Sequence, residues 1–304
     1  MENNFDPGKR ERDLWNSIPS LDGLERAETY FNLSLLAFEQ GEHTKSLALA
    51  ETACDCFVKN FDDVGSANCL TSIAFNLHAL DRKWDAIRVM MRAVMKYSKA
   101  SDIQEWEYRG YLAGWLADCD EKELALIQYE KCLEHFTYQD FGIAVARFND
   151  DMAKVLCDLD RCREAIERFN KSREVLRSEK EPGLVAASDI SIARCFNHLN
   201  DGLSARDFAY RALGVFESGA NKYKTAEALI QLGKAHINLA SFHDAFELLD
   251  RAHGLITGWR SPDFYLIYLI QKSKVKALKG LERWEEAETI ERRNKAINDI
   301  MEYE

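Results

Sequence analysis

The feature that most constrains the fold is a small residue that returns about every forty positions. It lies near the start of a predicted helix in seven stretches of the chain, and its occupants are Ser46, Ala86, Ala125, Ala165, Ala205, Ala245 and Ala287. The steps between them are 40, 39, 40, 40, 40 and 42 residues. Self-similarity at a period of this size indicates a repeat architecture.

Two further small sites keep the same register. Seven residues later come Ala53, Ala93, Cys132, Ser172, Ala212 and Ala252, and only Asn294 breaks the rule. Twelve residues earlier, in the preceding predicted helix, stand Ser34, Ala74, Ala113, Ala153, Ala193, Gly233 and Val275. Small side chains on one helix face let a neighbouring helix pack closely, ridges into grooves. Because one hairpin cannot bury its apolar face alone, the pattern predicts stacked helical hairpins.

Composition agrees with an all-α fold. The 304 residues include only four prolines and 15 glycines, and few stretches show the alternation typical of strands. We predict an N-terminal extension over residues 1–23 and seven helix pairs over 24–304. Within the extension, Leu14, Trp15 and Ile18 are expected on a short helix that caps the first pair.

The stretch 27–57 resembles the tetratricopeptide repeat (TPR). It carries small or apolar residues at the positions expected of that family, namely Tyr30, Leu33, Ser34, Ala37, Gly41, Ser46, Ala50 and Ala53. The resemblance extends over about 27–304 in seven units, each near forty residues rather than the usual 34 or so. It implies a right-handed α-α superhelix. In that family the first helix of each pair lines the concave face, along which ligands lie, usually as extended peptides.

The resemblance assigns one inward position per unit directly after the upstream small site. Its occupants in units one to seven are Leu35, Phe75, Gly114, Lys154, Arg194, Lys234 and Lys276. Neighbouring inward positions include Phe31, Phe38, Gly110, Asp150, Asn197, Asn238 and Lys272. The first units therefore present apolar groups, and the last four present one cation each.

This distribution predicts a groove for an acidic segment, with an apolar site for an aromatic or aliphatic anchor. Lysine and arginine would hold carboxylates through charge-assisted hydrogen bonds, and Asn197 and Asn238 would pair with the ligand backbone. Alternatively, the cations balance inward acids such as Asp150 and Glu227, or are simply solvated. Gly110 and Gly114 share one helix face, which indicates close approach by either a ligand or a neighbouring helix.

The formal net charge of −11 argues against general binding to nucleic acid or anionic membranes. The basic inner strip nevertheless keeps nucleic acid as a less favoured partner. The sequence contains no run of 18 apolar residues that would predict a membrane span. Its first residues lack the apolar core of a signal peptide. We therefore expect a cytoplasmic protein.

No motif points to catalysis, a metal or a cofactor. The chain contains no GxxxxGK[ST], GxGxxG, HExxH or GxSxG sequence. The eight cysteines are irregularly spaced and are interpreted as free thiols that pack as small hydrophobic groups. The close pair Cys54 and Cys56 would point about 200° apart on a helix, which is unsuitable for a shared metal.

The sequence thus favours a non-enzymatic TPR scaffold or receptor for a protein or peptide, with an acidic segment as the expected ligand. One alternative is a structural or adaptor protein that self-assembles through its repeat faces. Repeats near forty residues also resemble those of bacterial and phage peptide-sensing regulators. Because only about 23 residues precede the repeats, a sensor of that kind would act through a separate output partner.

Overall fold

The computed structural model describes residues 7–138, 141–257 and 263–301. Over these ranges the chain forms fifteen α-helices and one short 3-10 helix, Ile18–Ser20, without any strand. The helices are α1 Pro7–Ser17, α2 Gly23–Glu39, α3 His43–Lys59, α4 Asp63–Ala79, α5 Lys83–Ala100, α6 Gln104–Asp118, α7 Lys122–Tyr138, α8 Gly142–Asp158, α9 Cys162–Ser178, α10 Pro182–His198, α11 Gly202–Ser218, α12 Lys222–Asn238, α13 Phe242–Ile256, α14 Phe264–Gly280 and α15 Trp284–Met301. No helix in the described ranges is both long and apolar enough to cross a bilayer.

The chain divides into two compact units, Met1–Tyr138 and Gln139–Glu304. In the first unit, α2 packs against α3, α4 against α5 and α6 against α7. In the second unit the corresponding pairs are α8 with α9, α10 with α11, α12 with α13 and α14 with α15. Each pair also packs on the next pair of its own unit. The predicted all-α fold of stacked hairpins is confirmed, whereas the division into residues 1–23 and seven repeats over 24–304 stays a prediction.

The recurring small residues at the starts of the second helices are buried in the packed hairpins. Ser46, Ala86, Ala125, Ala165, Ala205, Ala245 and Ala287 are all fully buried. The Ser46 hydroxyl donates to the carbonyl oxygen of Ser34 at 2.7 Å, which joins the two helices of the first hairpin. At Gly233, an added methyl group would lie 2.7 Å from Cγ of Leu249. The small residues therefore allow the close packing that the sequence predicts.

Tight turns end most helices with one residue in the left-handed region. At Asp81 the φ angle is 58°, its N–H donates to His78 O at 3.0 Å, and the N–H of Arg82 donates to Leu77 O at 2.9 Å. These two bonds form a Schellman motif, which satisfies carbonyls at the helix end. The same left-handed conformation occurs at Phe61, Asp120, Asp160, Lys180, Asn200, Ala220, Ala240 and Glu282.

Side-chain caps start four of the following helices. The side chains of Asp62, Asp201, Asn221 and Asp263 each accept a hydrogen bond from a backbone N–H three residues later. Such bonds satisfy amide groups that have no partner within the helix. At Asp62, Asp201 and Asn221 the chain passes from one helix to the next within about three residues, which holds consecutive helices side by side.

Helix α1 and the 3-10 helix that follows it contact the first hairpin through the residues that the sequence singles out. Leu14 and Ile18 pack against a buried cluster formed by Leu33, Ala37 and Leu49. The Trp15 ring lies edge-on to Tyr30, with ring centroids 6.5 Å apart. These contacts cover apolar surface of α2 and α3.

A buried ion pair joins α9 to α10 in the second unit. Arg173 Nε lies 2.6 Å from Asp189 Oδ1, and both side chains are only 6% exposed, although the two atoms are not aligned for a hydrogen bond. Burial raises the pKa of Asp189 against the opposing charge of Arg173, and burial likewise lowers the pKa of Arg173. The guanidinium groups of Arg173 and Arg211 both face the Phe208 ring, at 5.0 and 4.1 Å.

Candidate functional site

A cavity of about 400 Å³ in the second unit gathers many of the predicted inward residues, and we call it the cationic cavity. Side chains from α10, α12 and α14, together with Asn200 from the turn after α10, line it. They are Arg194, Asn197, His198, Asn200, Gln231, Lys234, Ile237, Asn238, Leu269, Lys272, Ser273 and Lys276. Of the predicted residues, Arg194, Asn197, Lys234, Asn238, Lys272 and Lys276 meet here.

Repeat register explains why these cations converge. Arg194, Lys234 and Lys276 occupy equivalent positions on α10, α12 and α14, at steps of 40 and 42 residues. Because α10 contacts α12 and α12 contacts α14, side chains at the same register stand next to each other across adjacent hairpins. Lys272 joins them from one turn earlier on α14.

The cations of the cavity have no acidic partners, although other cations on the same helices do. No lining residue is acidic, and within the described ranges none of Arg194, Lys234, Lys272 and Lys276 forms a salt bridge. Outside the cavity, Lys224 pairs with Glu227, Lys274 with Asp250 and Lys279 with Glu291, each at 2.7 Å. Glu227, the predicted balancing acid on α12, is therefore engaged by Lys224.

The amine of Lys234 is the most perturbed group of the cationic cavity. Burial is the largest cause, followed by the charges of Arg194, Lys276 and Lys272, and together they lower the pKa of Lys234 to about 8. Each of these contributions disfavours the protonated amine. A bound anion would act in the opposite direction, so the cavity is electrostatically suited to a negatively charged group.

Amide side chains form the other wall of the cationic cavity. Asn197 Nδ2 donates to the carbonyl oxygen of Gln231 at 2.8 Å, and Asn238 Nδ2 donates to the carbonyl oxygen of Asn197 at 3.0 Å. Both amide nitrogens are thus bound within the protein, and they link α10 to α12. Each amide nitrogen also donates to a side-chain oxygen, Asn197 to Gln231 Oε1 at 3.3 Å and Asn238 to Asn197 Oδ1 at 3.4 Å. Their predicted pairing with a ligand backbone would therefore use oxygen lone pairs or replace these longer contacts.

A separate apolar pocket of about 480 Å³ lies in the first unit. It is lined by Phe31, Leu35, Phe38, Asn68, Thr71, Ser72, Phe75 and Tyr108, so the predicted Phe31, Leu35, Phe38 and Phe75 meet here. The side chains come from α2, α4 and α6. Leu35 is 40% exposed and Phe38 is 36% exposed, which leaves apolar surface open to a ligand.

An aromatic cluster on α6 supports the wall of this apolar pocket. The Phe75 ring lies edge-on to Tyr111 and Trp115, with centroids 5.1 and 5.3 Å apart. Tyr108 stacks on the buried Tyr97 at 5.3 Å, and the Tyr97 hydroxyl donates to Asn68 Oδ1 at 2.6 Å. The predicted site residues do not include Tyr108, Tyr111 and Trp115, although "EYRGYLAGW" already shows them in sequence.

Four predicted residues lie outside both cavities. Lys154 forms a 2.8 Å salt bridge with Asp151. Asp150 accepts a hydrogen bond from the Ser188 hydroxyl at 3.3 Å, and burial raises its pKa. Gly110 and Gly114 are half-buried on α6, and a methyl group at Gly114 would meet only the Tyr129 hydroxyl, at 3.6 Å. Close helix packing therefore does not account for Gly114.

The sequence analysis also missed several polar residues of the cationic cavity. His198, Asn200, Gln231 and Ser273 line it together with the predicted cations. Gln231 and Ser273 each lie one helical turn before a predicted cation, so extending the inward face by one turn would have found them. In the described part of the chain, no group of three or more histidine, cysteine or acidic side chains could hold a metal ion.

No protein-family model matches the chain, and no curated protein matches it. Solved structures do match, at low sequence identity. A signal-transduction ATPase with numerous domains from Pyrococcus horikoshii, which has a tetratricopeptide repeat sensor, gives a TM-score of 0.68 at 12% identity over 96% of this chain and 46% of that chain. The apo form of RapI gives 0.67 at 13% identity, covering 91% of this chain and 99% of that one.

A Rap protein complexed with Competence and Sporulation Factor also matches, with a TM-score of 0.55 at 14% identity over 97% of this chain and 81% of that chain. Likeness at such low identity concerns the fold. The chain therefore has a TPR-like helical repeat fold, as the recurring small residues predict.

Proposed function

We propose that this protein is a non-enzymatic binding module whose cationic cavity takes the acidic part of an extended peptide or protein segment. One observation carries the proposal. Arg194, Lys234, Lys272 and Lys276 share one cavity without a carboxylate among its lining residues, whereas Lys224, Lys274 and Lys279 on the same helices are paired with acids.

A carboxylate in the cationic cavity would relieve an unfavourable arrangement of charge. The cations there repel one another, and Lys234 is also poorly hydrated. An anionic ligand would offset the repulsion between the cations. It would also replace the lost water with charge-assisted hydrogen bonds, which contribute about 1.5–3 kcal/mol each. Four cations over three helices match several acidic groups spaced along a chain better than a single small anion.

The apolar pocket of the first unit is proposed as the place for an aromatic or aliphatic anchor. Its walls are mainly Phe31, Leu35, Phe38 and Phe75, and a buried aromatic side chain is a common source of binding energy at interfaces. The solved Rap protein complexed with Competence and Sporulation Factor supports the general idea that this fold serves as a receptor.

A random octapeptide library displayed on phage tests the proposal without knowledge of the natural ligand. We expect selection on the wild-type protein to enrich peptides containing aspartate and glutamate. The Arg194→Glu/Lys234→Glu double variant should lose this enrichment. The affinity of this variant for the best peptide should fall by at least about a hundredfold, since two charge-assisted hydrogen bonds are lost.

The matched control is Lys171→Glu/Lys222→Glu, which makes the same change of net charge at two exposed lysines outside the cavity. This variant should keep both the enrichment and the affinity. Circular dichroism should show unchanged helicity for all variants. Selection of peptides without acidic residues, or equal loss in both double variants, would refute the proposal. Tighter binding of a single-stranded oligonucleotide, with a steep salt dependence, would assign the cavity to nucleic acid instead.

A further inference from the structure

Three cysteines gather at one place in the second unit. Cys157 lies at the end of α8, Cys162 begins α9 and Cys195 lies in α10. Cys157 Sγ is 3.1 Å from Cys195 Sγ, although the two residues are 38 positions apart in the sequence. All three thiols are free, and Cys162 is close enough to influence the pKa of both others.

The thiols line a small cavity, distinct from the cationic cavity, with a volume of about 180 Å³. Its other lining residues are Lys154, Asp158, Phe169, Ser191, Arg194 and His198. A single water needs only about 10–15 Å³, so a solute of the size of hydrogen peroxide has room here. Cys157 is half-buried, whereas Cys162 and Cys195 are buried, which makes Cys157 the most accessible of the three.

Cys157 is also the thiol that ionises most readily. A hydrogen bond from Cys195, and to a smaller extent the charge of Arg194, lower the pKa of Cys157 against the effect of burial. Burial raises the pKa of Cys162, and the pKa of Cys195 is raised first by its interaction with Cys157 and then by burial. The thiolate is the reactive form of cysteine, so the first reaction is expected at Cys157.

We propose that Cys157 and Cys195 are a redox-active pair that forms a reversible disulfide with hydrogen peroxide as the oxidant. In the first step the Cys157 thiolate attacks peroxide, giving the sulfenic acid of Cys157 and hydroxide. In the second step the Cys195 thiol attacks that sulfur, the S–S bond forms and water leaves. The two sulfurs need to approach by only about 1 Å to reach the usual bond length of about 2.05 Å. A dithiol reductant returns both thiols and becomes a cyclic disulfide.

The location gives the disulfide a structural consequence. It would tie α8 to α10 covalently, and Arg194, the residue before Cys195, lines both the thiol cavity and the cationic cavity. Formation of the disulfide does not depend on the proposed peptide binding. The two proposals can therefore fail separately.

The test treats the full chain with hydrogen peroxide, blocks the remaining thiols by alkylation and maps the linked peptides by mass spectrometry. In the wild type we expect a Cys157–Cys195 linkage within one chain, the loss of two hydrogen atoms from the intact mass, and reversal by dithiothreitol. Cys157→Ser and Cys195→Ser should each lack the linkage. The control Cys119→Ser, which changes a half-buried thiol in the first unit, should keep it.

A double variant examines the first step by itself. In Cys162→Ser/Cys195→Ser no neighbouring thiol remains to attack the sulfenic acid, so a 1,3-dione reagent should label Cys157. The mapping of the wild type and of Cys119→Ser does not depend on the folding of the other variants. Mapping that shows both thiols still free, Cys157 linked to another residue, or Cys157 converted directly to sulfinic acid would overturn the proposal.

Discussion

Replacing Lys234 by methionine should stabilise the protein, because placing the charged Lys234 amine in the folded state costs free energy. The pKa of Lys234 falls from 10.5 to about 8, and about 1.4 kcal/mol per pH unit converts this difference to about 3 kcal/mol. Burial and three like charges are the causes. Methionine keeps most of the apolar stem without the charge. We therefore expect Lys234→Met to raise the free energy of unfolding by about 1–3 kcal/mol at pH 7.

The sign of the pH dependence follows from proton binding. Between about pH 8 and pH 10.5 the unfolded chain keeps the proton that the folded chain has released, so wild-type stability rises with pH in this window. Lys234→Met lacks this gain. The stability gap between variant and wild type should therefore shrink by about 1 kcal/mol from pH 7 to pH 9.

Urea unfolding followed by circular dichroism measures both quantities. Lys222→Met is the matched control, because Lys222 lies on the same helix and is exposed outside the cavity. It should change stability by less than about 0.5 kcal/mol at either pH. A Lys234→Met variant that is less stable than the wild type, or a gap that is equal at pH 7 and pH 9, would refute the electrostatic reasoning.

Three further predictions concern packing, and thermal unfolding checks each of them. Gly114→Ala should raise the free energy of unfolding by up to about 1 kcal/mol, since its methyl group has room. Gly233→Ala should lower the free energy of unfolding by about 1–3 kcal/mol, because its methyl group would clash with a core leucine. Similar effects of both variants would contradict this reasoning. Ala240→Gly should raise the free energy of unfolding by up to about 1 kcal/mol, because Ala240 has a φ of 57°. A lower free energy of unfolding in this variant would argue against strain in the turn. Arg173→Leu should lower the free energy of unfolding by up to about 3–5 kcal/mol, because it removes the close partner of the buried Asp189 and leaves only Arg211, whose Nε is 4.0 Å away. The double variant with Asp189→Leu should lose less stability; an equal or larger loss would contradict the reasoning.

The repeat fold could be predicted because its cause is local and repeated. Six of the seven predicted hairpins carry small residues at the same three positions, so the sequence records the packing rule six times. The cationic cavity followed from the same register. Arg194, Lys234 and Lys276 share a register position, and helices at equal positions in neighbouring hairpins are in contact. Periodicity alone therefore places these side chains together.

The features that the sequence did not predict depend on contacts outside that register. Cys157 and Cys195 are 38 residues apart, two short of the period, so they occupy different positions in their repeats. Lys154 pairs with Asp151, three residues away, rather than facing the cationic cavity. That choice depends on side-chain rotamers, which periodicity does not specify. The use of the Asn197 and Asn238 amides within the protein likewise depends on neighbours from another helix.

The two walls of the cationic cavity differ in mobility, and this difference bears on selectivity. Asn197 and Asn238 are held by backbone carbonyls, so their conformational entropy is already lost in the free protein. Arg194, Lys272 and Lys276 are exposed and keep many rotamers. A ligand would therefore meet a rigid template on the amide side and adaptable charges on the other. If the proposed acidic segment binds here, the cavity would discriminate sharply between backbone shapes along the amides, yet it would tolerate variation in the spacing of the acidic groups.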